Sequence, residues 1–174
     1  MLVKGPAWVF GDNINTDLMC PNVALKAPAD ERKQYVFRAN RPGWTEQVKE
    51  GDVIVAGTNF GTGSGRPAPQ LLRELGIAAI VAESVNGLFF RNSVNFALPV
   101  MECPGIMAAT SEGDILDIDL DSGIVVNTVT GSQLRGMPMP SFLQDIIASG
   151  GLLQSLLRQG LLVAAPREAS AAGW

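Results

Sequence analysis

The sequence contains no histidine and only two cysteines among its 174 residues. Without an imidazole, this chain cannot form a Ser-His or Cys-His catalytic pair or offer a histidine metal ligand. Cys20 and Cys103 lie far apart, so they form neither a CxxC motif nor the three or four thiolates that hold an iron–sulfur cluster. Both are predicted to be buried apolar side chains, and any metal in a reaction must come from a partner.

Basic residues and long apolar runs are also scarce. Lys and Arg number 13 against 17 Asp and Glu, and no basic cluster is long enough for electrostatic binding of nucleic acid. No stretch reaches the roughly 18 apolar residues of a membrane-spanning helix, and the first residues do not form a secretory leader. We therefore expect a cytoplasmic protein that binds neither nucleic acid nor membranes.

Hydrophobic residues make up 47% of the chain, which is enough for the core of one domain, predicted over residues 1–165. The remaining residues, 166–174, are predicted to be a disordered tail. Apolar runs indicate an α/β fold with strands at 2–10, 53–56, 78–82 and 97–101, and a hairpin over 115–129. Helices are predicted at 67–75, 86–96, 142–148 and 152–159.

Three local predictions accompany this assignment. The irregular connection over 16–51 is long enough to be functional or mobile. Ser141 is expected to cap the helix that follows it. Four leucines are spaced to lie on one face of the last helix, where they are expected to join the core, with a subunit contact as the alternative: Leu152, Leu153, Leu156 and Leu157.

A glycine-rich loop, GTNFGTGSGR at residues 57–66, lies between a predicted strand and a predicted helix. Backbone N–H groups in such a loop favour an anion. The loop lacks the GxxxxGK(S/T) spacing of a phosphate-binding P-loop and the glycine spacing of a dinucleotide site. A carboxylate site remains, with the hydroxyl of Ser64 and the forked cation of Arg66; the alternative is a tight turn beside a solvated arginine.

Four segments resemble one known family. NFGTGSGR at 59–66 is similar to the NFGxGSSRE signature of the small subunits of aconitase-superfamily hydro-lyases. GDNINTD at 11–17, GDVIVAG at 51–57 and LFFRNS at 88–93 resemble further motifs of these subunits, in the same order. On these motifs the chain is identified as a member of that family.

The resemblance implies the fold and the partner. The expected fold is a swivelling β/β/α domain of the aconitase C-terminal type, with a small mixed sheet or barrel flanked by helices. Such a domain closes over a larger subunit that holds a 4Fe-4S cluster, in a heterodimer or heterotetramer. This chain itself is expected to bind no metal or other cofactor.

The resemblance also implies roles for residues. Ser64 falls on the catalytic serine, which removes a proton from the carbon next to a carboxylate. Arg66 and the N–H groups of Gly63 and Gly65 would stabilise its alkoxide, and Asp17, assisted by Thr16, would orient the arginine or a hydroxyl. The expected substrate is a small 2-hydroxy dicarboxylic acid, with the interconversion of 3- and 2-isopropylmalate as the default.

Departures from the family pattern keep alternatives open. Gly65 stands where the family has a second serine, PAP at 67–69 replaces Glu-His-Ala, and residues 21–28 lack the usual Tyr-Leu stretch. Dimethylmalate, citraconate or homoaconitate could therefore be the substrate, or the chain could be a non-catalytic binding domain that kept the fold. Lys26, Arg32 and Lys33 are interpreted as solvated charges rather than ligands of a second carboxylate.

Overall fold

Short apolar runs form the parallel half of a central sheet. The sequences VIVA and AIVA are buried at every position, as expected of strands that are covered on both faces.

The computed structural model describes residues 1–63 and 65–163. Its strands are β1 (Leu2–Phe10), β2 (Val53–Ala56), β3 (Ala79–Ala82), β4 (Val100–Glu102), β5 (Ile115–Asp119), β6 (Ile124–Asn127) and β7 (Gln133–Arg135). Its α-helices are α1 (Thr16–Met19), α2 (Asn22–Lys26), α3 (Trp44–Gln47), α4 (Ala68–Glu74), α5 (Gly87–Asn95), α6 (Ile106–Ala109), α7 (Ser141–Ala148) and α8 (Leu152–Arg158).

The long first strand joins two differently built halves of the seven-stranded sheet, whose order is β4-β3-β2-β1-β5-β6-β7. The second half of β1 pairs in parallel with β2, which is followed by parallel β3 and β4. The first half of β1 pairs antiparallel with β5, and β6 and β7 continue that pattern. The predicted mixed sheet flanked by helices is therefore confirmed.

Two apolar clusters cover the two faces of the parallel strands. On one face, Ile54 and Ile80 pack with the helices before β2 and with α4 and α5. On the other face, Val53 and Val55 share a cluster with Leu116 of β5. Residues of β5 thus pack with residues of β2 in the second cluster, and the sheet curls into a half-barrel.

The connection between β1 and β2 is more ordered than the sequence predicted. It contains α1, α2 and α3 and a 3₁₀ helix at Arg32–Tyr35. Phe37 and Trp44, both fully buried, pack their rings 5.0 Å apart, and the ring of Phe37 lies 4.4 Å from that of Phe10. Burial of these aromatic side chains therefore holds the segment in place. Its many prolines and weak helical periodicity gave no indication of the short helices.

The β5–β6 hairpin is held by local hydrogen bonds to carboxylates. The hydroxyl of Ser122 and the N–H of Asp121 donate to Asp119 and lower the pKa of its carboxyl. Asp114 accepts from the N–H of Ser111 and the amide of Asn127, which lower its pKa in the same way. Both aspartates thus stay ionised to lower pH than usual.

Several helix predictions need correction. Ser141 is the first residue of α7 and not its cap: Pro140 occupies that position and makes no side-chain hydrogen bond. On α8 the buried residue is Ser155, whereas Leu152 and Leu153 are exposed. Leu156 and Leu157 are only half-buried, so the predicted leucine face does not form part of the core. Leucine spacing alone does not say which face of a short helix is buried.

Two short elements were missed. Helix α6 has four residues and β7 has three, which is too short for a periodic signal. The predicted tail at 166–174 lies outside the described residues. Within the described part of the chain, no helix is long and apolar enough to cross a membrane.

Glycine at position 5 is required by a close approach of two backbone segments. A Cβ atom there would lie 1.9 Å from the carbonyl oxygen of Gly51. We expect Gly5→Ala to lower the free energy of unfolding by about 3 kcal/mol, because the backbone must move to relieve the clash. Gly11→Ala, where a Cβ meets no atom within 4 Å, is the matched control and should change it by less than about 0.5 kcal/mol. Urea unfolding measures both, and equal losses would contradict the explanation.

Candidate active site

The site lies at the carboxyl edge of the parallel strands. Because β1, β2 and β3 run in parallel, the loops that follow them meet at one edge of the sheet. Ligands of open α/β sheets bind at this edge. The loop after β2 is the glycine-rich segment, and its neighbours on both sides contact it.

Backbone hydrogen bonds join the loop after β1 to the glycine-rich loop. Side chains add to these backbone bonds: the carboxylate of Asp12 accepts a hydrogen bond from the N–H of Thr58 at 2.7 Å. The side-chain amide of Asn59 donates to Asn13 at 3.0 Å, and both asparagines have positive φ angles near 57°. The four backbone bonds are Gly57 N to Gly11 O, Asn13 N to Thr58 O, Gly61 N to Ile14 O and Thr16 N to Thr62 O, with lengths between 2.7 and 3.2 Å.

The other side of the glycine-rich loop is fastened to the segment after β3. The N–H of Phe60 donates to the carbonyl of Ser84 at 3.0 Å, and the N–H of Asn86 donates back to Phe60 at 2.8 Å. The hydroxyl of Ser84 accepts from the N–H of Asn59 at 2.8 Å. The loop is therefore held from two neighbouring strand ends.

Two glycines of the loop are required by its conformation. Gly61 has φ +77°, and a Cβ there would lie 2.2 Å from the ring of Phe89. Gly63 has φ +109°, and a Cβ there would lie 2.9 Å from the hydroxyl oxygen of Thr16. Any larger residue at either position would be strained and crowded.

Asp17 and Arg66 form an ion pair between the two loops. The Nε of Arg66 lies 2.8 Å from Oδ1 of Asp17, and its Nη1 donates to the backbone carbonyl of Cys20 at 2.7 Å. The arginine side chain is 15% exposed, whereas that of the aspartate is 61% exposed. The guanidinium of Arg66 is thus held in a fixed orientation in the less exposed part of the site, and the carboxylate of Asp17 lies nearer the solvent.

The first turn after β1 positions Asp17. Asn15 caps α1, because its side-chain oxygen accepts from the N–H of Leu18 at 3.0 Å. Thr16 is buried, and its N–H donates to Thr62 across the two loops. These contacts hold the backbone at Asp17 in place and so fix the position from which its side chain extends.

The structure brings together five of the six residues that the sequence indicated. Ser64 lies outside the described residues. Gly63 and Gly65, its two neighbours in sequence, are exposed beside Arg66. Thr16 lies beneath Gly63, and Asp17 lies opposite the arginine.

Sequence reasoning missed three neighbours of the candidate site residues. The carbonyl of Cys20 gives no signal in the sequence, because a backbone group carries no residue signature. Leu88 and Asn92, on α5, are the residues closest to a Cβ placed on Gly65. Both lie in the LFFRNS motif, so the motif indicated their helix but not their position.

The three residues of the predicted basic cluster differ in exposure. Lys26 and Lys33 are exposed, which agrees with their interpretation as solvated charges. Arg32 is half-buried, and its Nε donates to the carbonyl of Ala27 at 3.2 Å.

The two thiols are not suited to hold a metal cluster together. Cys20 and Cys103 are fully buried and belong to different core clusters. Burial raises the pKa of both thiols, to about 11 for Cys103, where Glu83 adds to the effect. Across the described residues, no group of three or more histidine, cysteine or acidic side chains could bind a metal ion.

Comparison with known proteins shows the family of this chain. The profile of the Aconitase C-terminal domain matches residues 12–104, which include the site. The chain belongs to this family. The aconitase C-terminal fold is also found in the crystal structure of 3-isopropylmalate dehydratase from Methanocaldococcus jannaschii, with TM-score 0.85 and 33% identity over 92% of this chain and 96% of that one.

Relatives within the family have nearly the same length. The 3-isopropylmalate dehydratase small subunit 1 of Methanopyrus kandleri is 41% identical over 91% of this chain and 95% of its own. The isopropylmalate/citramalate isomerase small subunit of M. jannaschii is 39% identical over the same shares. The homoaconitase small subunit of Methanothermobacter thermautotrophicus is 40% identical over 90% of this chain and 92% of its own.

The ion pair in the site should contribute little to folding. Asp17 is mostly exposed, so water screens its attraction to Arg66. We expect Asp17→Asn to change the free energy of unfolding by less than about 1 kcal/mol in urea titrations. A larger loss would mean that the pair is structural, and a loss of activity in this variant could then not be assigned to the site.

Proposed function

We propose that this chain is the small subunit of a two-subunit hydro-lyase that interconverts 3-isopropylmalate and 2-isopropylmalate, a reaction of leucine biosynthesis. The observation that carries the proposal is the oriented guanidinium of Arg66 at the glycine-rich loop. It occurs in a chain whose relatives are named small subunits of 3-isopropylmalate dehydratase. The cytoplasm is the proposed location.

Arg66 is suited to hold a carboxylate of the substrate. Its guanidinium can donate to a carboxylate oxygen, and its low exposure limits competition from water. Asp17 and the carbonyl of Cys20 fix the plane of the guanidinium before substrate arrives. This preorganisation lowers the entropic cost of placing the reacting carbon.

Ser64 is proposed as the base of the dehydration. Its oxygen takes the proton from the carbon next to a carboxylate, the C–H electron pair becomes the C=C bond, and the hydroxyl leaves from the neighbouring carbon. Hydration of the other carbon of this double bond gives the isomer. The cation of Arg66 and the N–H groups of Gly63 and Gly65 would stabilise the serine alkoxide in a closed, dry site.

The remaining chemistry is assigned to a larger partner. A 4Fe-4S cluster on that subunit would supply Lewis-acid chemistry for the departing hydroxyl. The two thiols of this chain are buried in separate core clusters, so they are not placed to hold such a cluster together. The role proposed for this chain is to bind the substrate and to transfer the proton. The proposed assembly is a heterodimer or heterotetramer.

A related diacid is the second candidate substrate. The relatives named for isopropylmalate/citramalate and for homoaconitate are within two percentage points of identity of the first, at 39% and 40% against 41%. Overall identity therefore does not distinguish these substrates, and the residues around the loop must do so.

The divided site can be tested by anaerobic affinity purification of the tagged chain from its native lysate. We expect a larger subunit to copurify with iron and a brown iron–sulfur absorbance, because this chain lacks the ligands for the cluster. The complex should convert 3-isopropylmalate, measured by absorbance of the unsaturated intermediate. Repeated recovery of a folded, colourless chain alone would contradict the two-subunit proposal and favour a non-catalytic binding domain.

The role of Ser64 predicts a large kinetic effect in the assembled complex. Ser64→Ala should lower kcat on the order of 100-fold or more, as removal of a general base does. Ser111→Ala removes a hydroxyl from an exposed residue before β5 and should leave kcat unchanged. Undiminished turnover by Ser64→Ala would exclude the serine as the base.

A further inference from the structure

Met137 is an exposed apolar side chain that lines a cavity. It belongs to the segment Met-Pro-Met-Pro at 137–140, which follows β7. Met139 of this segment is buried in the core, whereas Met137 is 65% exposed. The segment, β4 and the first turn of α5 surround a cavity of about 240 Å³. An exposed methionine beside an apolar cavity is typical of a surface that binds another molecule.

Hydrogen bonds hold the walls of this cavity in place. The N–H of Met137 donates to the carbonyl oxygen of Glu102, on β4, at 2.8 Å. A Cβ on Gly136 would lie 2.5 Å from the same oxygen, so the two segments are in close contact. The carboxylate of Glu102 accepts from the N–H of Val85 at 2.7 Å. The cavity is therefore preformed, and a group that enters it need not order this part of the chain.

The cavity lies beside the candidate active site, at the same edge of the sheet. Val85, which lines the cavity, forms a β-bridge with Phe60 of the glycine-rich loop. The loop follows β2 and the cavity borders β4, two strands further along, a separation of about 10 Å at the usual strand spacing. A stable interface buries about 800 Å² on each partner, so a round one extends about 16 Å from its centre. A subunit that meets a substrate at the loop therefore covers the cavity as well.

The size of the cavity favours a side chain of a protein partner over a small molecule. Sites for small molecules usually enclose roughly 300–1,000 Å³. This cavity, of about 240 Å³, is smaller and has Phe90, Val100 and Met101 in its wall. One large apolar side chain suits such a space, and a few side chains seated in pockets dominate the affinity of many interfaces.

We infer that this cavity receives a large apolar side chain of the larger subunit and so anchors the two subunits to each other. The inference rests on the proposed function, in which a substrate is held between this chain and that subunit. The anchor lies next to the candidate site on the same edge of the sheet, so it fixes the larger subunit over the glycine-rich loop.

Binding of the purified larger subunit to variants of this chain tests the inference. Met137→Glu places a charge beside the apolar cavity. Gly87→Leu adds a side chain at an exposed position of the cavity wall, where a Cβ meets no atom within 4 Å. Each variant should raise the Kd of the subunit complex about 10-fold or more, as the loss of an anchor in an interface does. Anaerobic isothermal titration calorimetry measures the Kd.

Val129→Glu is the matched control. Val129 precedes β7 and is 64% exposed, whereas Met137 follows β7 and is 65% exposed. The control adds the same charge at a residue that does not line the cavity, and it should change the Kd by less than about 2-fold. Thermal unfolding of each chain alone checks that the variants are folded.

The outcomes separate this inference from the proposed function. An unchanged Kd in both Met137→Glu and Gly87→Leu overturns the anchor alone, and so does an equal rise in Val129→Glu. Self-association that Met137→Glu abolishes, with an unchanged Kd for the larger subunit, assigns the cavity to a second copy and also overturns it. A wild-type chain that binds no larger subunit contradicts the proposed function and this inference together. A complex that depends on the cavity but leaves isopropylmalate unconverted supports the anchor and contradicts only the proposed reaction.

Discussion

The register between two loops is the constraint on which the site depends. Four backbone hydrogen bonds align the segment after β1 with the glycine-rich loop after β2. Asp17 and Arg66 stand on opposite sides of this junction and meet only because the register holds. Parallel pairing of β1 with β2 starts the alignment, and the loops extend it beyond the sheet. The register of the strands and loops, more than the electrostatic attraction between the two side chains, therefore brings Asp17 and Arg66 together.

Close approach of backbone explains why the loop is rich in glycine. Hydrogen-bonded loops at this distance leave no room for side chains at Gly61 or Gly63, which lie against the ring of Phe89 and the hydroxyl of Thr16. The loop is therefore shaped by packing from below, while its exposed side is available for a ligand. Packing thus constrains residues 61 and 63, and the residues proposed to act on a substrate follow them directly in the same short segment.

The sequence predicted the strongly patterned parts and failed where pattern is weak. β2 and β3 are wholly apolar, and the glycine-rich loop follows the first of them, so both strands and the candidate site could be placed in the fold. The connection after β1 could not, because its order comes from tertiary burial of Phe37 and Trp44. Nor could the carbonyl of Cys20 be foreseen as a partner of Arg66, because that contact joins residues 46 positions apart through a backbone atom.

The hydrogen-bonded hairpin and the buried thiols have a consequence for titration experiments. The carboxyls of Asp114 and Asp119 have lowered pKa values, and the thiols of the two cysteines have raised ones. The pKa of each group therefore lies farther from pH 7 than its ordinary value. The 174 residues also include no histidine, the side chain whose ordinary pKa lies in the neutral range. Asp114, Asp119, Cys20 and Cys103 therefore keep the same charge over the neutral range. A pH dependence of an assembled enzyme in that interval would therefore originate outside these four groups.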